Sequence, residues 1–150
     1  MTIELKQGDL FTSDAPIIGH GVNCAGVMGK GIAVGFKYTY PDMYRRYKKM
    51  CEEGKLNPGQ VWLYKDPNED RHIANIASQL KPGPNAKYEW AIQGINTLVE
   101  FCERYEIDRI ALPRIGTGIG GLKWADMFYR LVDEFEESPI VIEIWSLPGD

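Results

Sequence analysis

Metal ligands and cross-linking residues are scarce in this sequence. Only two histidines, His20 and His72, and three cysteines, Cys24, Cys51 and Cys102, occur in 150 residues. The cysteines form no C-x-x-C pair and leave an odd one over, which speaks against a disulfide framework and a structural zinc site and fits a reducing, cytoplasmic compartment. No metal and no cofactor is expected. Positive charge is short as well: 17 Lys and Arg stand against 21 Asp and Glu, a net charge of −4. The chain as a whole therefore does not attract nucleic-acid backbones, and any anion it binds has to be held by local geometry. A basic leader followed by an apolar stretch is missing at the start, and no apolar run approaches membrane-spanning length, so a soluble, unexported chain without a membrane partner is expected. The composition, 44% hydrophobic and 25% charged, lacks the polarity of disorder, and the length suits a single domain over residues 1–150.

What the sequence has in quantity is glycine, 16 residues, much of it in two runs. The first lies in Ile17 to Phe36, I-I-G-H-G-V-N-C-A-G-V-M-G-K-G-I-A-V-G-F. An apolar run suited to a strand buried on both faces leads into Gly26, Gly29 and Gly31 and then into a helix of small residues. Backbone N–H groups without side-chain cover at the mouth of a helix form a cradle for an anion. The second run, Gly116-Thr117-Gly118-Ile119-Gly120-Gly121, follows the short apolar strand Arg109 to Pro113 and precedes another helix. Neither is a Walker A loop: Cys24 stands where that motif needs glycine and Gly31 where it needs a hydroxyl. Nor is the second a dinucleotide fingerprint, since too little chain follows it. Two such loops at strand ends facing one crevice suit a diphosphate.

Alternation over residues 2–6 predicts a first strand ending at Gly8-Asp9-Leu10. Tyr40-Pro41 interrupts the first helix and starts a second, Asp42 to Glu53, which stops at Gly54. Its Arg45, Arg46, Lys48 and Lys49 read as a solvated face ending in cations that suit the helix dipole, in preference to a nucleic-acid patch. Gln60 to Lys65 and Arg71 to Ala77 read as a hairpin, with His72 in its second strand. The loop Ser78 to Asn85, kept non-helical by two prolines and a glycine, is placed to overhang a site. Tyr88 to Tyr105 has helical spacing, a helix carries Met127, Phe128, Leu131 and Phe135, and Ile140 to Trp145 is a last strand. Strands alternating with helices, plus one hairpin, predict a three-layer α/β/α domain with a mixed sheet.

Gly8-Asp9-Leu10, Asn23-Cys24-Ala25-Gly26-Val27-Met28-Gly29-Lys30-Gly31-Ile32-Ala33, and Pro113 to Leu122 with Trp124 together resemble the macrodomain family over essentially the whole chain. The resemblance implies ADP-ribose binding. It makes Asp9 the acceptor of the adenine amino group and Leu10 the neighbour whose backbone faces the purine. It puts Asn23 beside the distal ribose, wraps Gly29, Lys30, Gly31 and Ile32 around that ribose and the diphosphate, and makes Gly116, Thr117, Gly118, Ile119 and Gly120 the second diphosphate loop. The branch it looks most like holds ADP-ribose 1''-phosphate phosphatases and terminal ADP-ribose protein glycohydrolases.

The glycohydrolase pattern places a lysine after the strand ending here at Ala77 and an acid in the second loop. This chain has Gln79 and Gly120 there, with Lys81 two residues later. The phosphatase pattern places a histidine three residues before the ribose asparagine, and His20 so precedes Asn23. The resemblance thus implies dephosphorylation of ADP-ribose 1''-phosphate with His20 and Asn23 as catalytic residues. Removal of ADP-ribose from modified protein or nucleic acid, and a non-catalytic reader, are the alternatives. An imidazole can shuttle protons near neutral pH, whereas the residues alone equally describe a hydrogen-bonded core histidine. Cys24 reads as a small buried thiol, and Asp126, Asp133, Glu134, Glu136 and Glu137 as solvated charge.

Overall fold

The computed structural model describes residues 2–150. In chain order come β1 (Ile3–Gln7), β2 (Ile17–Val22), α1 (Ile32–Thr39), α2 (Pro41–Glu52), β3 (Val61–Lys65), β4 (His72–Ala77), α3 (Tyr88–Arg104), β5 (Arg109–Pro113), α4 (Trp124–Phe135) and β6 (Val141–Ser146). Short 3-10 turns occupy Leu10–Thr12 and Gly118–Gly120. The strands form one sheet in the order β1-β6-β5-β2-β4-β3. All neighbours are parallel except β3, which runs antiparallel to β4 as the hairpin requires. The mixed sheet with helices on both faces is the expected architecture.

Period-two alternation divides the strand residues between two cores. Ile17, Ala74, Ile76, Ile110, Leu112 and Ile142 pack with Ile95 and Leu98 of α3 and Met127 and Leu131 of α4. Ile18, Val22, Ile73, Ala77 and Ala111 pack with Phe36 of α1 and Met43 and Tyr47 of α2. Pro41 occupies the first turn of α2, and α1 ends just before it at Thr39 because proline has no N–H to continue the ladder. On the α1/α2 side, over β1, β5 and β6, the sheet carries a polar network. Arg109 Nη1 lies 2.8 Å from both Glu4 Oε1 and Glu143 Oε2, while Ser13 Oγ and Trp145 Nε1 each donate to Glu143 Oε1 at 2.8 Å. Burial raises the Glu143 pKa, but Arg109, Trp145 and Ser13 together hold the carboxyl below its usual value.

Because five strands are parallel, Gln7, Val22, Ala77, Pro113 and Ser146 all end at one edge of the sheet. The segments that follow them, 23–31, 78–87 and 114–121 among them, therefore gather there.

Candidate functional site

β2 and β5 are adjacent, yet the chain leaves β2 for α1 on one face and β5 for α4 on the other. That divergence makes the carboxyl ends of β2 and β5 a topological switch point, the place where open α/β sheets take ligands.

The first glycine loop is held by Asn23. Its Oδ1 accepts from Ala25 N at 3.0 Å and Val27 N at 3.4 Å, and its Nδ2 donates to Val27 O at 2.8 Å. Tyr47 Oη, from α2, lies 2.7 Å from Asn23 O and 2.8 Å from Asn23 Oδ1. The carboxamide is thus mostly spent on the loop's own shape. At the loop's end Gly31 has φ 63°, a region that disfavours side chains, and caps α1 without a side chain. The N–H groups of Ile32 and Ala33 are left in the unpaired first turn of the helix, beside exposed Gly29 and Lys30.

In the second loop Gly118 has φ 65°, and a Cβ built there meets nothing within 4 Å, so its backbone borders open space. Thr117 turns its hydroxyl inward to Arg114 O at 2.7 Å, and Gly120 is buried. Ile119 Cδ1 comes within 3.4 Å of where a Cβ on Gly31 would stand, which is where the two loops meet.

The segment 78–87 ties the loops together. Cys24 N donates to Leu80 O at 3.0 Å, and Ala86 N donates to Gly120 O at 3.2 Å. Asn85 Oδ1 receives Leu80 N at 3.0 Å and Lys81 N at 3.1 Å, and Gln79 Nε2 donates to Lys81 O at 2.7 Å and Gly83 O at 3.0 Å. Gln79 Oε1 stands 3.1 Å from the Cβ position of Gly120. The two departures from the glycohydrolase pattern are therefore neighbours: the amide clamps its own loop, and an acidic side chain at 120 would collide with it and with Ala86. Lys81 is exposed on this segment, one residue beyond the bond to Cys24. Val27, Leu80 and Ile119 expose apolar side chains on these three segments, and Ile32 does so at the start of α1.

At the other end of the edge, Asp9 is exposed and caps the 3-10 turn, accepting from Phe11 N at 3.0 Å through Oδ1. Leu10 is buried, and the turn it opens reaches β5. Phe11 continues toward α1, its ring 4.6 Å from that of Phe36. Four strands lie from β1 to β2, so this stretch of the sheet edge spans three spacings of about 4.8 Å, about 14 Å.

His20 is not part of this edge. Its side chain enters the α1/α2 core with no exposure, stacks 3.9 Å from the Phe36 ring, and places Nε2 2.8 Å from Asn75 Oδ1. Asn75 Nδ2 is used on Trp62 O at 3.3 Å, so its Oδ1 faces the ring and the proton sits on His20 Nε2. Nδ1 has no partner. Burial pushes the imidazole down to about 4, against the raising effect of Asn75. Of the two catalytic candidates, one thus belongs to the core and the other to the loop's framework. Cys24 is half-buried instead of buried, and burial pushes its thiol up to about 11, the opposite of an activated nucleophile. Tyr47 and Asn85 shape the site through contacts that no local pattern in the sequence shows.

These features define an open α/β protein with a candidate site at its strand-end switch point. The Macro domain family model matches residues 20–129, and the chain belongs to that family. It is 35% identical over 141 residues to a DNA ADP-ribosyl glycohydrolase of Mycobacterium tuberculosis, covering 93% of this chain and 40% of that one. An ADP-ribose 1''-phosphate phosphatase of Lodderomyces elongisporus is 29% identical over 139 residues, 83% of this chain and 87% of its own. The structure of Thermosipho africanus DarTG in complex with ADP-ribose superimposes with a TM-score of 0.83 at 27% identity, covering 97% of this chain and 42% of that one. The chain thus spans about 40% of the glycohydrolase relative's length.

Proposed function

We propose that this chain binds ADP-ribose along the edge from Asp9 to the two glycine loops and hydrolyses a bond to the 1'' position of its distal ribose. The observation that carries the reading is the meeting of two bare-backbone loops, at Gly31 and Gly118, on adjacent strands whose helices diverge. Asp9 receives the adenine amino group. Gly29 to Ile32 and Gly116 to Gly120 hold the diphosphate and ribose through backbone N–H groups.

Two leaving groups fit at that position. Loss of phosphate from ADP-ribose 1''-phosphate is supported by the phosphatase relative, and it would run without the buried His20 as its acid or base. Release of ADP-ribose from a nucleic acid is supported by the match, over 93% of this chain, to the M. tuberculosis glycohydrolase. In that reaction water adds to C1'', the nucleic acid departs with a proton on the atom that carried the ADP-ribose, and Lys81, on the segment that bridges the loops, is the cation beside the bond that breaks.

A substrate panel tests both: phosphate release from ADP-ribose 1''-phosphate, and ADP-ribose release from ADP-ribosylated oligonucleotide and from ADP-ribosylated protein. Turnover of either of the first two is expected. Failure of all three, with ADP-ribose still bound, would leave the chain a reader.

A further inference from the structure

Helix α2 carries four cations, Arg45, Arg46, Lys48 and Lys49, against Asp42 and Glu52, a local +2 in a chain of net −4, so the remainder carries −6. Arg45 pairs with Asp42. Arg46, Lys48 and Lys49 take no ion-pair partner among the described residues. An open depression of about 380 Å³ lies between α2 and β3, lined by Arg46, Lys49, Met50, Glu53, Lys55 and Trp62. Trp62 is partly exposed there, and Arg46 lies 5.9 Å from the neighbouring Tyr64 ring. Lys48, on the adjoining stripe of the helix, has its Cγ 3.4 Å from the Cβ position of Gly26, so the cationic face runs up to the first glycine loop. A solvated helix face needs neither the depression nor the aromatic floor.

We propose that this depression, with Arg46, Lys49 and Trp62, binds the single-stranded nucleic acid that flanks the ADP-ribosylated nucleotide, with Lys48 leading the strand to the first glycine loop. The inference rests on the reading of release from nucleic acid. Unpaired cations beside a partly open indole are what a flexible strand needs: phosphates meet the ammonium and guanidinium groups while one base stacks on Trp62, without sequence preference. The overall negative charge restricts this attraction to the one face.

The test uses a labelled, unmodified oligonucleotide of about ten nucleotides and fluorescence anisotropy at several salt concentrations. Wild-type protein is expected to bind it with an affinity that falls as salt rises. The double reversal Arg46→Glu with Lys49→Glu should weaken binding by ~10-fold or more, and Trp62→Ala by ~5-fold or more. Calorimetry should find ADP-ribose affinity unchanged in both, which also certifies their fold. On ADP-ribosylated oligonucleotide the reversal should raise KM and spare kcat, and on an ADP-ribosylated mononucleotide it should change neither. If wild type fails to release ADP-ribose from the oligonucleotide but still binds it through Arg46 and Lys49, the reaction assignment fails and the surface stands. If release occurs and the reversal leaves affinity and KM as they were, the surface assignment is overturned. Competition by polyglutamate as effective as by oligonucleotide would overturn it too, in favour of an acidic protein partner.

Discussion

The imidazole of His20 exchanges water for the Phe36 ring and one amide oxygen, and what it gives up is charge. Its folded pKa of about 4 lies below the ordinary 6.5, so between those values the unfolded chain binds the proton that the folded chain refuses. The stability this neutral ring contributes is complete above about pH 6.5 and declines as pH falls toward 4, by about 3 kcal/mol in all. Thermal melts of wild type and His20→Leu should separate on this point: the wild-type midpoint drops between pH 7 and 5, and the variant, though less stable at pH 7 because Asn75 loses its partner, drops less. Parallel curves would show that the ring is protonated or hydrated in the fold. A catalytic shuttle would instead show as turnover lost with stability kept. The side of the strand that His20 faces was not legible in the sequence, because Ile17 to Val22 is almost continuously apolar and alternation has no contrast to reveal. Lys81 makes the opposite case. It is exposed on a segment pinned at Cys24 and Gly120, so Lys81→Ala should leave the fold and ADP-ribose affinity intact while lowering release from ADP-ribosylated oligonucleotide by ~10²-fold. Equal rates would remove it from the chemistry.

At the scale of elements, the loops differ in what a side chain would do to them. A Cβ at Gly116 would meet Leu122 Cδ1 at 2.6 Å and disrupt the loop itself, whereas at Gly118 it meets nothing. Gly118→Val should therefore cost about 1–2 kcal/mol of stability, from the positive φ alone, yet weaken ADP-ribose by ~100-fold or more because the isopropyl group fills the ligand's path. Calorimetry on a variant with wild-type circular dichroism checks this, and unchanged affinity would move the diphosphate away from the second loop. Strands, helices and the Pro41 break were legible to within a residue or two, since each rests on local periodicity or backbone chemistry. The order β1-β6-β5-β2-β4-β3 was not, because strand neighbours are chosen by contacts between residues far apart in the chain. The same limit hid the Tyr47 clamp on Asn23, 24 residues away, and the bridge from Cys24 through Leu80 to Gly120.

For the molecule as a whole, the switch point lies where its two cores part. The first loop runs into the core built on α1 and α2, the second into the core built on α3 and α4, and segment 78–87 links them by one backbone hydrogen bond to Cys24 and one to Gly120. A diphosphate held by both loops would join the two halves at their open end, and binding only the folded state raises stability by mass action. At a free concentration of about 100 times its Kd, ADP-ribose should add about 2.7 kcal/mol, a rise in Tm of about 5–10 °C for a chain of this size. Charge works against the encounter, since both protein and ligand are anions, so added salt should leave this shift unchanged or slightly larger. On the proposed orientation adenosine would occupy only the Asp9 end and ribose 5-phosphate only the loops, so each at the same concentration should raise Tm by less than half as much. A shift from adenosine equal to that from ADP-ribose would place all the binding at Asp9 and leave the two loops as turns. A shift that shrinks steeply with salt would mean that cations such as Lys30, not backbone amides, hold the diphosphate.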